Sequence, residues 1–324
     1  MKTTTIKNTD LHVSMFCLGG QSFGSRDDKT VSYAMLDQFF EGGGNFLDTA
    51  NNYAIWNGQG GESEAMLGDW MTDRGNRDRM VVATKMGGRA KDAPMSSKPE
   101  HIRRECERSL ERLQTDRIDL YYFHCDDRSV PLEDQLGTMD ELVGEGKVRH
   151  VGASNFRAWR LAEAAGVSAA NGITAFCCVQ QRYTYLRPRV DADFGFQKST
   201  NDDLLEYCRE RDFQLIAYSP LLGGAYIRED REIQRQYRHS DSDARRATLF
   251  QIADEIGATP NQVILAWLTG RGVIPISGAS KAHQLRESLI GFDLTLSDEI
   301  LDRLDAAGAD NGQHKHSVPE ASSA

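Results

Sequence analysis

Four polar side chains stand where their types could move a proton onto a carbonyl oxygen. Asp48, Lys85 and His124 each close a short apolar run, and Tyr53 follows Asp48 by five positions. A free tyrosine, with a pKa near ~10, is a poor acid at neutral pH. A Lys⁺ beside the phenol stabilises the phenolate and is expected to lower that pKa. A carboxylate beside the lysine keeps it protonated and aimed. A histidine can donate a hydrogen bond to a substrate oxygen or relay a proton to the tyrosine. Together the four make a proton donor or acceptor for a carbonyl/alcohol oxygen, with no metal-ligand spacing and no obvious nucleophile. Singly, each has a plainer reading: Asp48 as a turn cap, Lys85 as a solvated strand end, His124 as a satisfied structural histidine, Tyr53 as an ordinary loop residue. The weight lies on their joint placement.

That placement depends on the elements around them. Short apolar runs at 15–18, 45–48, 80–84, 120–123, 148–154, 176–180, 214–218 and 273–276 are bounded by Gly, Asn, Asp or Ser. Several are continuously apolar, as parallel strands buried on both faces are. Helical stretches lie between them at 30–41, 62–74, 99–113, 131–145, 156–165, 202–211, 259–269 and 282–289, many stopped by glycine or opened by proline. Eight strands each followed by a helix spell a (β/α)8 TIM barrel in the α/β class. In such a barrel catalysis belongs at the C-terminal ends of the strands, where Asp48, Lys85 and His124 fall on three neighbours. A doubly wound open sheet is the competing fold. It would carry G-x-G-x-x-G after the first strand, and Leu18-Gly19-Gly20-Gln21-Ser22-Phe23-Gly24 does not match. Ahead of the first strand, 3–6 and 11–13 flank Asn8-Thr9-Asp10 and read as a β-hairpin that plugs the barrel floor.

The same residues carry a resemblance. Asn45-Phe46-Leu47-Asp48-Thr49-Ala50-Asn51-Asn52-Tyr53 resembles the aldo-keto reductase signature Phe/Ile-Asp-Thr-Ala-x-x-Tyr. Ala83-Thr84-Lys85 is similar to that family's strand-three lysine, and Leu120-Tyr121-Tyr122-Phe123-His124 to its strand-four histidine. The similarity continues through Val151-Gly152-Ala153-Ser154-Asn155-Phe156, Val179-Gln180-Gln181-Arg182-Tyr183, Ala217-Tyr218-Ser219-Pro220-Leu221 and Pro275-Ile276-Ser277-Gly278-Ala279-Ser280, and spans about 3–304. It implies an eight-stranded barrel that binds NADP(H), less often NAD(H), and interconverts carbonyls and alcohols. Tyr53 would be the general acid, tuned by Lys85 and Asp48, with His124 orienting the carbonyl. Ser154, Asn155 and Gln180 would hold the nicotinamide carboxamide, and Tyr218 would stack on the ring. Gly20 and Gln21 would line the cofactor near the first strand. Ser219, Leu221 and Gly223 would lie along the pyrophosphate. After strand eight, Ser280 stands where many NADP-dependent relatives place Arg or Lys. There Ser280, Gln284 and the following helix start would remain phosphate-competent, with Lys281 supplying charge and Gly278 beside them along the cofactor. Ser288 replaces a frequent Asn that meets adenine. NADP(H) is the first expectation and NAD(H) the second.

Composition bounds the rest. The 324 residues are 40% hydrophobic and 27% charged, with a net charge of −10, as in a globular chain with a sizeable core and no basic face for nucleic acid or anionic membrane. The start, 1–10, is polar and no apolar run approaches ~18 residues, so neither a signal peptide nor a membrane span is expected. The six cysteines form no CxxC pair, which suits free thiols in a cytoplasmic protein. A single barrel of ~250 residues leaves a surplus, which falls at 51–61, 187–201, 219–244 and a flexible tail from 308 to 324. The first three follow strands two, six and seven and enlarge the mouth. Phe23, Trp56 and the Arg128 loop are expected walls of the substrate pocket. The Gly-rich rim at 57–61 suits a sugar or polyol-like carbonyl. A Schiff-base aldolase built on Lys85 and a cofactor-sensing regulatory subunit are the competing functions. The sequence leaves the oligomeric state open.

Overall fold

A computed structural model describes residues 1–56, 58–88 and 96–308. All but Gly308 of the tail expected to be flexible, 308–324, and Asn57 of the Gly-rich rim lie outside the described residues. A hairpin of β1 (Thr3–Thr5) and β2 (His12–Ser14) precedes the barrel. The barrel strands are β3 (Cys17–Gly19), β4 (Phe46–Asp48), β5 (Val81–Met86), β6 (Ile118–Phe123), β7 (Val148–Ser154), β8 (Phe176–Arg182), β9 (Gln214–Tyr218) and β10 (Ile274–Ser277). Each pairs in parallel with the next, and β10 closes the ring onto β3 through Ile276 opposite Cys17. All eight expected strands are present.

The helices are α1 (Lys29–Glu41), α2 (Glu62–Arg74), α3 (Pro99–Leu113), α4 (Leu132–Gly144), α5 (Ala158–Asn171), α6 (Asp202–Glu210), α7 (Ser240–Glu255), α8 (Pro260–Gly270), α9 (Ala282–Asp293) and α10 (Asp298–Ala306). Four differ from expectation, one of them α9, which runs on through Gly291 to Asp293 where the expected helix ends at 289. α5 runs through Gly166, where the expected helix stops. Gly166 faces open space, so it lowers helix propensity by about 1 kcal/mol without forcing a break, and the left-handed Gly172 makes the real cap. α7 and α10 lie outside the expected set. The buried face of α7 includes Ser242 and Arg245 beside Leu249 and Ile252, which blurs its apolar period. Arg245 is tolerated inside because it donates to the carbonyls of Tyr185 and Ala307 at 2.8 Å each.

Inward-facing strand residues Cys17, Phe46, Val81, Leu120, Cys178, Ile216 and Ile274 fill the barrel interior. The hairpin residues Ile6, Leu11 and Val13 complete that cluster from below, each 1% exposed or less. The hairpin is therefore the barrel floor, and each of these side chains contributes about 1.5–3 kcal/mol by leaving water. All six cysteines are buried and unbridged. Among the described residues no helix is long and apolar enough to cross a membrane.

Candidate active site

The sequence brings Asp48, Tyr53, Lys85 and His124 to one side of the barrel mouth because β4, β5 and β6 are consecutive neighbours. Lys85 is the centre. Its side chain is fully buried, and its Nζ donates to Asp48 Oδ1 at 2.6 Å, to the Thr49 carbonyl at 2.7 Å and to the Tyr53 hydroxyl at 3.1 Å. Three acceptors for three ammonium protons leave the lysine no rotational freedom. The other Asp48 oxygen accepts from Gln180 Nε2 at 2.7 Å. His124 follows β6, and its ring meets that of Tyr53 edge-on, centroids 6.0 Å apart.

The loop from Asp48 to Tyr53 is held at several points. The amides of Thr49 and Asn51 donate to the β5 carbonyls of Ala83 and Lys85. Asn51 Nδ2 reaches the buried Glu105 of α3 at 2.9 Å. Ala54, immediately after the tyrosine, is buried with φ at +74°, a left-handed conformation costing an alanine roughly 1–3 kcal/mol. Strain beside Tyr53 is offset by the surrounding bonds. Sequence reading missed Glu105 and the Thr49 carbonyl: one is distant in the chain, and the other is backbone.

The electrostatics correct one expectation. Burial pushes the Tyr53 phenol up, and Lys85 pulls it down without cancelling that burial, so its pKa lies above the usual tyrosine value, not below it. The phenol therefore holds its proton throughout the neutral range. Burial pulls the Lys85 ammonium down, but Asp48 and Tyr53 outweigh it and hold its pKa above the usual lysine value. Such a lysine keeps its proton and is no nucleophile, which argues against the Schiff-base alternative.

His124 is held at about 3 by burial and by the Lys85 charge, so it is a neutral imidazole that can donate one hydrogen bond. The unfolded chain takes up a proton near pH ~6.5 that the folded chain refuses until about 3. Stability assigned to this residue is therefore full above pH ~6.5 and is lost as pH falls toward 3. The variant His124→Gln should gain stability relative to the parent as pH is lowered from about 7 to 4, measured by urea unfolding. A difference that stays constant across that range would contradict the neutral assignment.

The expected cofactor residues line the same mouth. Ser154, Asn155 and Gln180 are buried at the ends of β7 and β8. Asn155 is in the left-handed region, φ +61°, and is a hub. Its Nδ2 donates to the His124 carbonyl and to Ser154 Oγ, and its Oδ1 accepts from the Tyr218 hydroxyl at 2.7 Å and the Lys198 amide at 3.0 Å. All four of its hydrogen-bond positions are taken. Asn155 can meet a carboxamide only by exchanging one of them, most simply the Tyr218 hydroxyl. Gln180 spends its nitrogen on Asp48, leaving its oxygen for an N–H donor.

Beyond β9, Ser219, Leu222, Gly223 and Gly224 all have positive φ, and Leu222–Gly224 forms a single tight helical turn. Ser219 and Leu222 are the two non-glycine residues held there, a conformation that costs each of them on the order of 1–3 kcal/mol. Gly20 donates to the Asp48 carbonyl, and a Cβ on it would press on Ser63 and Phe23; Gln21 beside it is exposed. A Cβ on Gly278 would lie 3.3 Å from the Gly19 carbonyl. Ser280 is tied through both its amide and its hydroxyl to Gln284 Oε1, and Lys281 is exposed at the start of α9. Ser288 is buried on the inner face of α9.

The expected pocket walls fare differently. Trp56 is 56% exposed on the loop after Tyr53. Phe23 is only 1% exposed and packs in the core beneath Gly20, so it is structural packing and not an open wall. Arg128 bonds Asp126 and lies over Trp159, its guanidinium 4.9 Å from that ring, apart from the tetrad. Phe196, which sequence reading did not single out, stands edge-on to His124 with centroids 6.5 Å apart. A cavity of about 750 Å3 lies elsewhere, between Leu186, the 225–233 segment and α7.

The tetrad geometry is accompanied by a match along nearly the whole barrel. Residues 16–309 fit the model of the Aldo/keto reductase family. The chain belongs to the aldo/keto reductase family. Among its relatives, norsolorinic acid reductase A of Aspergillus parasiticus is 31% identical, covering 92% of this chain and 78% of its own. An uncharacterised oxidoreductase of Bacillus subtilis is 30% identical over 93% of this chain and 94% of its own. The NADP(+) aryl-alcohol dehydrogenase of Phanerodontia chrysosporium is 31% identical over 89% of this chain and 81% of its own.

Proposed function

We propose that this aldo/keto reductase is an NADP(H)-dependent oxidoreductase that interconverts a carbonyl and an alcohol, with Tyr53 donating the proton. The observation that carries it is the Tyr53 hydroxyl held 3.1 Å from an ammonium that Asp48 and Thr49 keep protonated and aimed. Family membership and the oxidoreductase relatives support the reaction class. The nicotinamide, when bound, supplies the hydride.

The chain's own residues do the rest. Neutral His124 donates to the carbonyl oxygen and orients it toward Tyr53. As negative charge builds on that oxygen, Tyr53 O–H delivers its proton, and the phenolate left behind is stabilised by Lys85. In the reverse direction the same phenolate accepts the alcohol proton. The donor set fits a nicotinamide cofactor. Gln180 presents a free amide oxygen, Asn155 and Ser154 sit beside it, and the 219–224 turn, with the Arg231 and Arg228 side chains packed against Gly223 and Gly224, offers cationic groups to a phosphate-bearing chain. At the far end, Lys281, exposed and without an ion pair among the described residues, offers its ammonium to a 2′-phosphate.

The test is absorbance at 340 nm with aldehydes and ketones under both cofactors, which decides turnover and preference together. A lower Michaelis constant for NADPH than NADH is expected. Lys281→Met should raise the NADPH Michaelis constant about tenfold, the worth of one charge-assisted hydrogen bond, and leave that for NADH unchanged. A clear preference for NADH in the parent would remove the NADP assignment while leaving the reaction class standing.

A further inference from the structure

The segment between β8 and α6 carries an exposed phenylalanine on an anchored backbone. Phe196 is 54% exposed. The residue after it, Gln197, accepts from Arg182 Nη1 at 3.1 Å, and Arg182 is itself buried, bonding the Tyr237 hydroxyl and Gln234 Oε1. The next residue, Lys198, donates its amide to Asn155 Oδ1 and its ammonium to the Gly195 carbonyl at 3.0 Å. Thr200 donates its amide back to the Arg182 carbonyl at 2.8 Å. Gly195, φ +66°, turns the chain just before the ring, and Asp193 caps its amide. A segment tied at this many points could have carried a polar residue at 196 without loss of structure. Leaving an aromatic face in water has a free-energy cost that scales with the apolar area exposed.

That face is not on a random patch. The ring is edge-on to His124, which is edge-on in turn to Tyr53. The three rings border the space in which a carbonyl would meet the acid. The anchor at Asn155 ties the wall to the residue beside the expected nicotinamide position.

We propose that Phe196 is a specificity-determining residue, forming an aromatic wall of the substrate site, and that the site takes planar aryl aldehydes or ketones. This rests on the carbonyl-reducing reading above. A flat ring laid against Phe196 gains offset-stacked or edge-to-face contact and covers the exposed face, whereas a polyol would desolvate its hydroxyls against a surface with no partner for them. The sugar-like substrate suggested by the 57–61 rim is disfavoured on this ground.

The experiment compares the parent, Phe196→Ala and Phe196→Tyr with 2-naphthaldehyde and propanal under saturating cofactor, and adds calorimetric binding of unreactive 2-naphthamide to the cofactor-loaded protein. The Ala variant should lose about tenfold in kcat/KM for 2-naphthaldehyde, mainly through KM, and stay within about twofold for propanal. Binding of 2-naphthamide should weaken by the same factor, and the Tyr variant should retain both. Equal losses on both aldehydes, or unchanged naphthamide binding in the Ala variant, would overturn the proposal. A parent that binds naphthamide through Phe196 but turns over no carbonyl would instead overturn the catalytic reading and leave the aromatic wall standing.

Discussion

Tyr53→Phe should lower kcat for carbonyl reduction by about 10²–10⁴, the usual worth of a positioned general acid, and leave cofactor affinity nearly unchanged. The substitution removes one oxygen and keeps the ring that faces His124. Lys85 retains Asp48 at 2.6 Å and the Thr49 carbonyl at 2.7 Å, so the buried ammonium is still paired and the fold is undisturbed. Only the proton source is lost. Because the Tyr53 pKa is raised, the parent's reduction rate should not gain from more acid conditions in the neutral range, where the phenol is already protonated. Single-turnover kinetics with cofactor titrated by protein fluorescence separates the two effects. Unchanged turnover in Tyr53→Phe would refute the assigned acid.

The second large effect is on the fold. Lys85→Met leaves Asp48 as an unpaired carboxylate only 2% exposed at the end of β4, and breaking a buried pair this way costs about 3–5 kcal/mol. Restoring neutrality with Asp48→Asn in the same chain should recover much of that loss, because both groups are then uncharged and Gln180 can still hydrogen-bond position 48. The pH dependence gives the sign. Burial already raises the Asp48 pKa against the pull of Lys85. Without the lysine the folded-state value rises further above the unfolded ~3.9, so the single variant is least impaired at low pH and loses stability as pH climbs through the raised value. Urea unfolding from pH 4 to 8 checks this. A single variant whose deficit is the same across that range, or a double variant no more stable than the single, would show that charge pairing is not what holds Lys85 in place.

The elements and the tetrad were legible in the sequence for a shared reason. A parallel strand buried on both faces has to be apolar, so a polar residue closing such a run stands out, and consecutive strands of a barrel are neighbours by topology. Asp48, Lys85 and His124 satisfy that logic from spacing alone, and the hairpin residues Ile6, Leu11 and Val13 do so through their apolar pattern. α7 escaped because Ser242 and Arg245 interrupt its buried face, and the extension of α5 escaped because an exposed glycine does not have to end a helix.

What the tertiary structure alone decided are quantities that depend on residues far apart in the chain. The net direction of the Tyr53 pKa turns on how much burial competes with one ammonium, which no local pattern encodes. Phe23 and Phe196 look alike in sequence, yet one is core and the other faces His124, because packing buries the first beneath Gly20 and Arg182 with Asn155 hold the second in the open. Asn155 is saturated by its neighbour Ser154 and by partners from three other segments. The sequence by itself determined which chemical groups the barrel presents at its mouth. Their solvation and their mutual hydrogen bonds set how acidic they are and what shape they accept, and those arise only when the loops close over one another.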